Sequence, residues 1–236
     1  MSPLPRAAGD ELMDQPGQDH GELAVSLADL RAVNRWLGGT RVVLRHLSEL
    51  VRRHPRDRYR IVDVATGSGD IPLHVARWAR EENLDVEILA TDNHPTTLEL
   101  ARKHVGPDPS VHAGFADALR LPFHDDEFDI GLLSTALHHF NDERDCIRVL
   151  RELHRVSRLG IIVNDLARSR TALAGARLLA ATVWRRHPVT RHDGPLSVRR
   201  SFTPAELRSL AARAGLTRAA VHAHFPFRVA LVAEKE

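Results

Sequence analysis

Residues 61–70 read Ile-Val-Asp-Val-Ala-Thr-Gly-Ser-Gly-Asp, and this stretch decides the fold. Its first four residues have the apolar and β-branched character of a buried strand, and the apolar periodicity over residues 71–78 predicts a helix. Gly67 and Gly69 allow a tight turn between the two, and Asp70 can cap the helix. In open α/β sheets such a turn lies at the carboxyl end of the strand, where ligands bind.

The composition of the loop argues against a dinucleotide as the ligand. A dinucleotide fingerprint needs a third glycine, and this chain has Pro72 there. Asp63 and Asp70 would also repel a pyrophosphate, for which a free helix N-terminus is the natural receptor. They suit a ligand with an ammonium group, such as S-adenosylmethionine (SAM). Taken alone, the loop is also compatible with an ordinary strand–turn–helix that carries two surface glycines.

Two further acidic residues follow predicted strands. Residues 86–92 predict a second strand that ends in Asp92, at the spacing expected for a ribose-binding carboxylate. Asp117 follows a short strand near Val111, where an acid could hold the exocyclic amine of an adenine. Dinucleotide enzymes need only the first of these acids, so the pair favours SAM.

With these motifs, residues 59–165 resemble a class I SAM-dependent methyltransferase of the ubiquinone/menaquinone C-methyltransferase-like subgroup. The glycine loop, Asp92, Ala116-Asp117 and the approach to the fourth strand over residues 121–129 carry the resemblance. Ala65 stands where many members have glycine, a difference that this subgroup tolerates. The resemblance implies SAM as the cofactor, with S-adenosyl-L-homocysteine as its product. The cofactor-binding residues expected from it are Asp63, Ala65, Thr66, Gly67, Gly69, Asp92, Asn93, Asp117, Ala118 and Ser134.

The resemblance also implies an α/β fold class and a domain organisation. We expect a Rossmann-like class I methyltransferase sheet of seven strands with the last one antiparallel, an N-terminal helical cap and a helical insertion after strand five. Residues 1–20 are rich in Pro, Gly and acids and predict a flexible N-terminus. Residues 21–58 predict the cap, and residues 59–236 the SAM-binding methyltransferase domain. Within that domain, the insertion at residues 168–200 is expected to form an acceptor lid.

The insertion has two predicted parts. Ala172 to Trp184 is an apolar helical run, and residues 187–196, rich in His, Pro and Gly, predict a loop. Because function in α/β folds concentrates on loops at the carboxyl edge, we expect this insertion to build a largely apolar acceptor pocket. A decorative helical hairpin is the alternative.

Histidines and an acid after strands four and five are the candidates for catalysis. A phenol has a pKa of about 10, so a general base assists its methylation at neutral pH. We expect His138 or His139, oriented by Asp165, to be this base, with His192 beside Asp193 as the reserve. A histidine pair that only caps a helix is the structural alternative. Adjacent histidines point in different directions and no spaced partner follows, so no metal site is expected.

Composition limits the remaining possibilities. The chain has 236 residues, 43% of them hydrophobic, with no apolar run long enough to cross a bilayer and no hydrophobic signal core. A cytoplasmic protein without stable membrane insertion is expected. Cys146 is the only cysteine, which excludes an internal disulfide, and its helical pattern indicates a packed thiol. A net charge of +2 with interspersed arginines disfavours nucleic acid as a partner.

Three functional hypotheses follow. The first is SAM-dependent O-methylation of a small acceptor, a phenolic, quinol or polyketide-type hydroxyl of secondary metabolism. The second is a quinone-type C-methyltransferase, and the third is a SAM-binding protein without catalysis. We expect the first, with a small-molecule acceptor as the partner and a monomer or homodimer as the assembly.

Overall fold

The computed structural model describes residues 4–15 and 17–235. The strands form one seven-stranded sheet in the order β3-β2-β1-β4-β5-β7-β6. Strand β7 is antiparallel to both of its neighbours, and the other neighbouring pairs are parallel. The predicted sheet, with its antiparallel last strand, is confirmed. The strands are β1 (Arg58–Val64), β2 (Asp85–Asp92), β3 (Val111–Phe115), β4 (Phe128–Ser134), β5 (Ser157–Leu166), β6 (Ala219–His224) and β7 (Arg228–Glu234).

Helices cover both faces of this sheet and its carboxyl edge. Apolar side chains of α2 and α3 pack on one face, and those of α5 and α8 on the other. Helix α8 begins with the capping box that the sequence indicates, between Thr203 and Glu206. The helices are α1 (His20–Trp36), α2 (Gly39–Arg53), α3 (Asp70–Glu81), α4 (Pro95–Val105), α5 (Glu143–Val156), α6 (Arg170–Ala181), α7 (Pro188–Arg200) and α8 (Pro204–Arg213).

The thiol of Cys146 is packed inside the core. Its side chain is fully buried on α5, and burial raises the pKa of the thiol to about 12. A thiol with such a pKa holds almost no thiolate at neutral pH, so this residue is not a nucleophile.

The prediction of a loop at residues 187–196 is wrong, because most of this stretch lies in helix α7. Gly194 and Pro195 are both disfavoured inside helices, which is why the local sequence indicates a loop. Gly194 is needed for packing instead: a Cβ there would lie 2.6 Å from Cζ3 of Trp184. Val189 and Val198 are buried as well. Tertiary packing therefore overrides the local preference.

Residues 4–15, the N-terminal segment, are packed against the domain, although composition predicts flexibility. Arg6 donates from Nε to the carbonyl of Arg200 (2.6 Å) and from Nη2 to that of Phe140 (2.8 Å). The backbone N–H groups of Leu12 and Met13 donate to the carboxylate of Asp193, at 2.8 and 3.0 Å. The partners lie far away along the chain, so the composition of the segment carries no sign of them.

None of the helices within residues 4–15 and 17–235 combines the length and the apolar character that crossing a bilayer requires.

Candidate functional site

A polar cleft of about 450 Å³ lies at the carboxyl edge of β1, β2 and β4. The strands end there side by side, as parallel strands of an open sheet do, so the turns after them face one space. Seven of the ten predicted cofactor residues line the cleft: Asp63, Ala65, Thr66, Gly67, Asp92, Asn93 and Ser134.

Asp92 ties the glycine loop to the second strand. One carboxylate oxygen accepts from the backbone N–H of Gly67 and the other from that of His94, both at 3.0 Å. Burial raises the pKa of this carboxyl group, although the two hydrogen bonds act in the opposite direction. The acid therefore shapes the loop as well as the wall of the cleft.

Asp63 offers an unsatisfied acceptor to the cleft. Its Oδ2 accepts from the hydroxyl of Thr66 at 2.5 Å, whereas Oδ1 is buried without a hydrogen-bond partner among the described residues. Burial raises the pKa of this carboxyl group to about 7; the Thr66 hydroxyl lowers it, and the charges of Asp70 and Asp92 add to the rise. A ligand with an ammonium group would satisfy the free oxygen and favour the ionised form. In this respect the residues fit SAM.

The loop itself needs left-handed backbone at three positions. Ala65, Gly67 and Gly69 have φ values of 52°, 57° and 74°. The value at Ala65 explains why a glycine suits that position better. Gly69 lies outside the lining of the cleft, but a Cβ there would be 2.4 Å from Cγ1 of Val105 on α4. It therefore allows α4 to pack closely on the loop.

The structure does not place Asp117 and Ala118 on the cleft. The carboxylate of Asp117 accepts from the backbone N–H of Leu119 at 2.9 Å and so stabilises a local turn, a common role for an aspartate. Sequence reasoning missed other residues that do line the cleft. They include four from the N-terminal segment: Asp10, Met13, Asp14 and Gln15.

A second, largely apolar cavity of about 310 Å³ adjoins the cleft. The predicted insertion forms much of its wall, through α6, α7 and Trp184. Helix α1, the N-terminal segment and the start of β7 complete it. Four residues line both spaces: Met13, Leu30, Thr135 and His139.

The apolar cavity has a polar floor formed by Glu11, His138 and His139. His138 is buried, and its Nδ1 lies 2.7 Å from Oδ1 of Asp165, as expected for an imidazole that an acid orients. The backbone N–H of His138 also donates to this carboxylate, at 3.1 Å. Burial alone would raise the pKa of Asp165, but the charge and hydrogen bond of His138 outweigh it, so the pKa is lowered.

His139 differs from His138 in its electrostatics. Its Nδ1 lies 2.6 Å from Oδ2 of Asp14. Burial disfavours the charged ring, but the charge of Glu11 and the hydrogen bond to Asp14 outweigh it and raise the pKa of His139 to about 9. The ring without a ligand therefore holds a proton at neutral pH, and Nε2 must lose that proton before it can accept another one or bind a ligand. Which of His138 and His139 serves as the base stays a prediction.

The reserve base, His192, is not brought into the site. Its side chain is 50% exposed and lies outside the lining of both spaces. The partner is as expected: Nδ1 lies 2.7 Å from Oδ1 of Asp193. Asp193 itself lines the cavity and holds the N-terminal segment.

A fully buried arginine, Arg228, connects the helical cap to the sheet. It donates to Oγ1 of Thr135 (2.9 Å) and Oδ1 of Asn34 (3.2 Å), and burial lowers its pKa to about 10. Thr135 follows β4 with a φ of 54°, a conformation uncommon for a β-branched residue. No local sequence signal marks this arginine, because its partners come from α1 and from the turn after β4.

Comparison with known proteins agrees with this architecture. Residues 61–160 match the family model described as a methyltransferase domain. Two curated relatives are both named demethylmenaquinone methyltransferase. The one from Lysinibacillus sphaericus is 30% identical over 118 residues, covering 50% of this chain and 48% of the relative. The one from Deinococcus radiodurans is 36% identical over 110 residues, covering 46% and 42%.

A solved structure, a SAM-dependent methyltransferase from Aquifex aeolicus, resembles the chain over most of its length. The TM-score is 0.64 at 15% identity, with 89% of this chain and 97% of that chain covered. At this identity the likeness concerns the fold alone. The curated relatives are matched over just under half of their own lengths.

Proposed function

We propose that this chain, which carries a class I SAM-dependent methyltransferase domain, methylates a hydroxyl group of a small, largely apolar acceptor such as a phenol or quinol. One observation carries the proposal: the apolar cavity adjoins the polar cleft, and four residues line both. An acceptor and a cofactor bound in these two spaces would meet at Thr135 and His139.

The cleft residues are those proposed to hold the cofactor. Asp92 would accept from ribose hydroxyls at the end of β2, and the free oxygen of Asp63 would balance an ammonium charge. When bound, SAM supplies an electrophilic methyl group on a sulfonium. Left-handed backbone at Gly67 keeps the loop tight, so that the ligand can approach the backbone closely.

The cavity residues are those proposed to hold the acceptor. Leu178, Leu179 and Trp184 bind its apolar body and exclude water. The hydroxyl would lie against the floor of Glu11, His138 and His139, where Nε2 of His138 would accept its proton as the methyl group leaves the sulfonium for the oxygen. Holding two reactants in near-attack geometry can supply as much as about 7–11 kcal/mol of a barrier, and this arrangement would act by that means.

Labelled cofactor tests this proposal. Purified protein with methyl-labelled SAM and a panel of phenols, naphthols and quinols should form S-adenosylhomocysteine and methylated acceptor in equal amounts. The methyl resonance of the product should be that of an ether. SAM binding without turnover on any member of the panel would instead support a non-catalytic SAM-binding protein.

A quinone-type C-methylation is the second candidate, because two relatives are named demethylmenaquinone methyltransferase. The same floor would hold the ring hydroxyl while a neighbouring ring carbon faces the cleft. The labelled product distinguishes the two, since a methyl on carbon resonates well apart from one on oxygen.

A further inference from the structure

The floor of the apolar cavity brings three ligand-type side chains together. Nε2 of His138 lies 3.5 Å from Oε1 of Glu11, and Nε2 of His139 lies 3.8 Å from its Oε2. One ligand atom from each of the three lies within 4.8 Å of the others. Two atoms bound tetrahedrally at about 2.0–2.1 Å from one ion are about 3.3 Å apart, so only small movements are needed.

Both imidazoles direct the same ring nitrogen, Nε2, toward Glu11. Nδ1 of His138 is paired with Asp165 and Nδ1 of His139 with Asp14, at 2.7 and 2.6 Å. Metal-binding histidines almost always donate their second ring N–H to a carboxylate or carbonyl, which fixes the tautomer and the ring. The two Nε2 atoms are thereby directed to Glu11. The sequence expectation that adjacent histidines diverge is not met here.

Glu11 provides an independent sign of a missing cation. Its side chain is 2% exposed, and Oε1 has no hydrogen-bond partner among the described residues. Oε2 accepts from the hydroxyl of Ser197 at 2.9 Å, whereas Nη1 of Arg200 approaches Oε1 only to 3.8 Å. A buried carboxylate oxygen left unsatisfied is unfavourable, and a metal ion between it and the imidazoles would satisfy it.

We propose that Glu11, His138 and His139 bind one divalent transition-metal ion, such as Zn²⁺, at the floor of the apolar cavity. Two imidazoles and a carboxylate suit Zn²⁺ and its first-row neighbours better than Mg²⁺ or Ca²⁺, which prefer oxygen ligands. Three protein ligands leave a position free, as in catalytic rather than structural zinc sites. All three residues line the cavity, so that position faces it.

In one respect this inference rests on the proposed function. A hydroxyl of the acceptor could take the free position, where a divalent cation makes a bound hydroxyl more acidic. The bound ion would then promote loss of the hydroxyl proton, which a metal-free imidazole would otherwise accept. Metal binding itself needs neither acceptor nor cofactor, so the two proposals fail separately.

Cobalt binding tests the site on the full chain. Metal-free protein titrated with Co²⁺ should develop the visible absorption band of four- or five-coordinate Co²⁺, saturating at one equivalent per chain. Added Zn²⁺ should displace it. Glu11→Gln and His138→Gln should each weaken Co²⁺ binding at least tenfold, with S-adenosylhomocysteine affinity reporting that the variants are folded.

A matched control comes from the other histidine cluster. Nε2 of His46 lies 2.9 Å from that of His224, with His222 close by, so added metal could bind there instead. His224→Gln should leave the cobalt band and its stoichiometry unchanged. Absence of the band in the unmodified chain would overturn the proposal, as would a band that survives in both Glu11→Gln and His138→Gln. One bound metal without methyl transfer would defeat the proposed function alone.

Discussion

The polar cleft and the apolar cavity touch each other but are built in different ways. The cleft is formed chiefly by turns that directly follow β1, β2 and β4, and its glycine loop donates one backbone hydrogen bond, from Gly67, to Asp92. The cavity shares the turn after β4, through Thr135, His138 and His139, but most of its lining comes from the N-terminal segment, α1, α6 and α7, which are distant in sequence. The difference teaches that the sheet fixes one space, whereas packing of the added elements fixes the other. Each should therefore respond to its own substitutions.

Filling the cavity is the strongest way to separate the two spaces. Gly175 lines the cavity on α6, and the nearest atom to a Cβ there is Cε2 of Phe227, at 4.0 Å. Gly175→Leu should therefore extend into acceptor space and lower kcat/KM for the acceptor by about 100-fold or more. Affinity for S-adenosylhomocysteine, measured by calorimetry, should change less than about twofold, since the residue is off the cleft.

Gly175→Ala is the control for this variant. It adds one methyl group and should stabilise α6 by about 0.5–1 kcal/mol in thermal unfolding, because glycine is unfavourable inside helices. A large loss of S-adenosylhomocysteine affinity in Gly175→Leu would contradict the separation of the two spaces.

Asp92→Asn should affect the cleft rather than the cavity. Loss of charge-assisted hydrogen bonds should weaken S-adenosylhomocysteine binding by about 1–3 kcal/mol, roughly 5- to 150-fold, as measured by calorimetry. Asp117→Asn is the matched control, since the carboxylate of Asp117 supports a turn outside the cleft. If Asp117→Asn weakened binding more than Asp92→Asn, the cleft would be misassigned.

The pH dependence of cofactor binding should be set by a residue of the cleft, Asp63. The pKa of Asp63 is raised to about 7, and a bound ammonium group favours the ionised carboxylate and lowers that pKa. Binding then releases a proton below pH 7, so the affinity should rise by up to about tenfold per pH unit toward 7 and level off above it. Calorimetry in buffers of different ionisation enthalpy measures this proton. Asp63→Asn should remove the dependence, and a slope that persists in that variant would assign it to another group.

The smallest effect is expected at Ala65, in the glycine loop. Its φ of 52° is easier for glycine, so Ala65→Gly should raise the free energy of unfolding by up to about 1 kcal/mol. Ala205→Gly, at an exposed position in the first turn of α8, should lower it by up to about 0.5–1 kcal/mol. Denaturant unfolding of both variants compares the two signs, and equal signs would mean that the backbone angle is not the cause.

The cleft could largely be predicted from sequence because its determinants are local. Strand, turn and helix signals lie within a few residues of each other, and parallel strands bring the ends at Asp63 and Asp92 to one edge. Asp117 shows where this reasoning stops: an acid after a strand can serve a turn as well as a ligand. Local pattern does not distinguish the two.

Only part of the cavity floor can be predicted from the sequence. His138 follows β4 and Asp165 lies near the end of its neighbour β5, so their pairing could be expected from topology. Glu11 could not, because it lies in a segment whose composition indicates disorder, and it is held there by hydrogen bonds of its neighbours to Asp193 on α7. Helix α7 itself was missed, since its Gly-Pro pair is unfavourable until Trp184 packs against it.

One residue of the N-terminal segment, Met13, belongs to the walls of both spaces. Met13 lines both spaces, and its backbone N–H is bonded to Asp193. Any displacement of Met13 from its bond to Asp193 would alter the walls of the cleft and of the cavity at the same time. A change on α7 that moves Asp193 would therefore affect the binding of both proposed ligands, although Asp193 itself lines only the cavity of these two spaces.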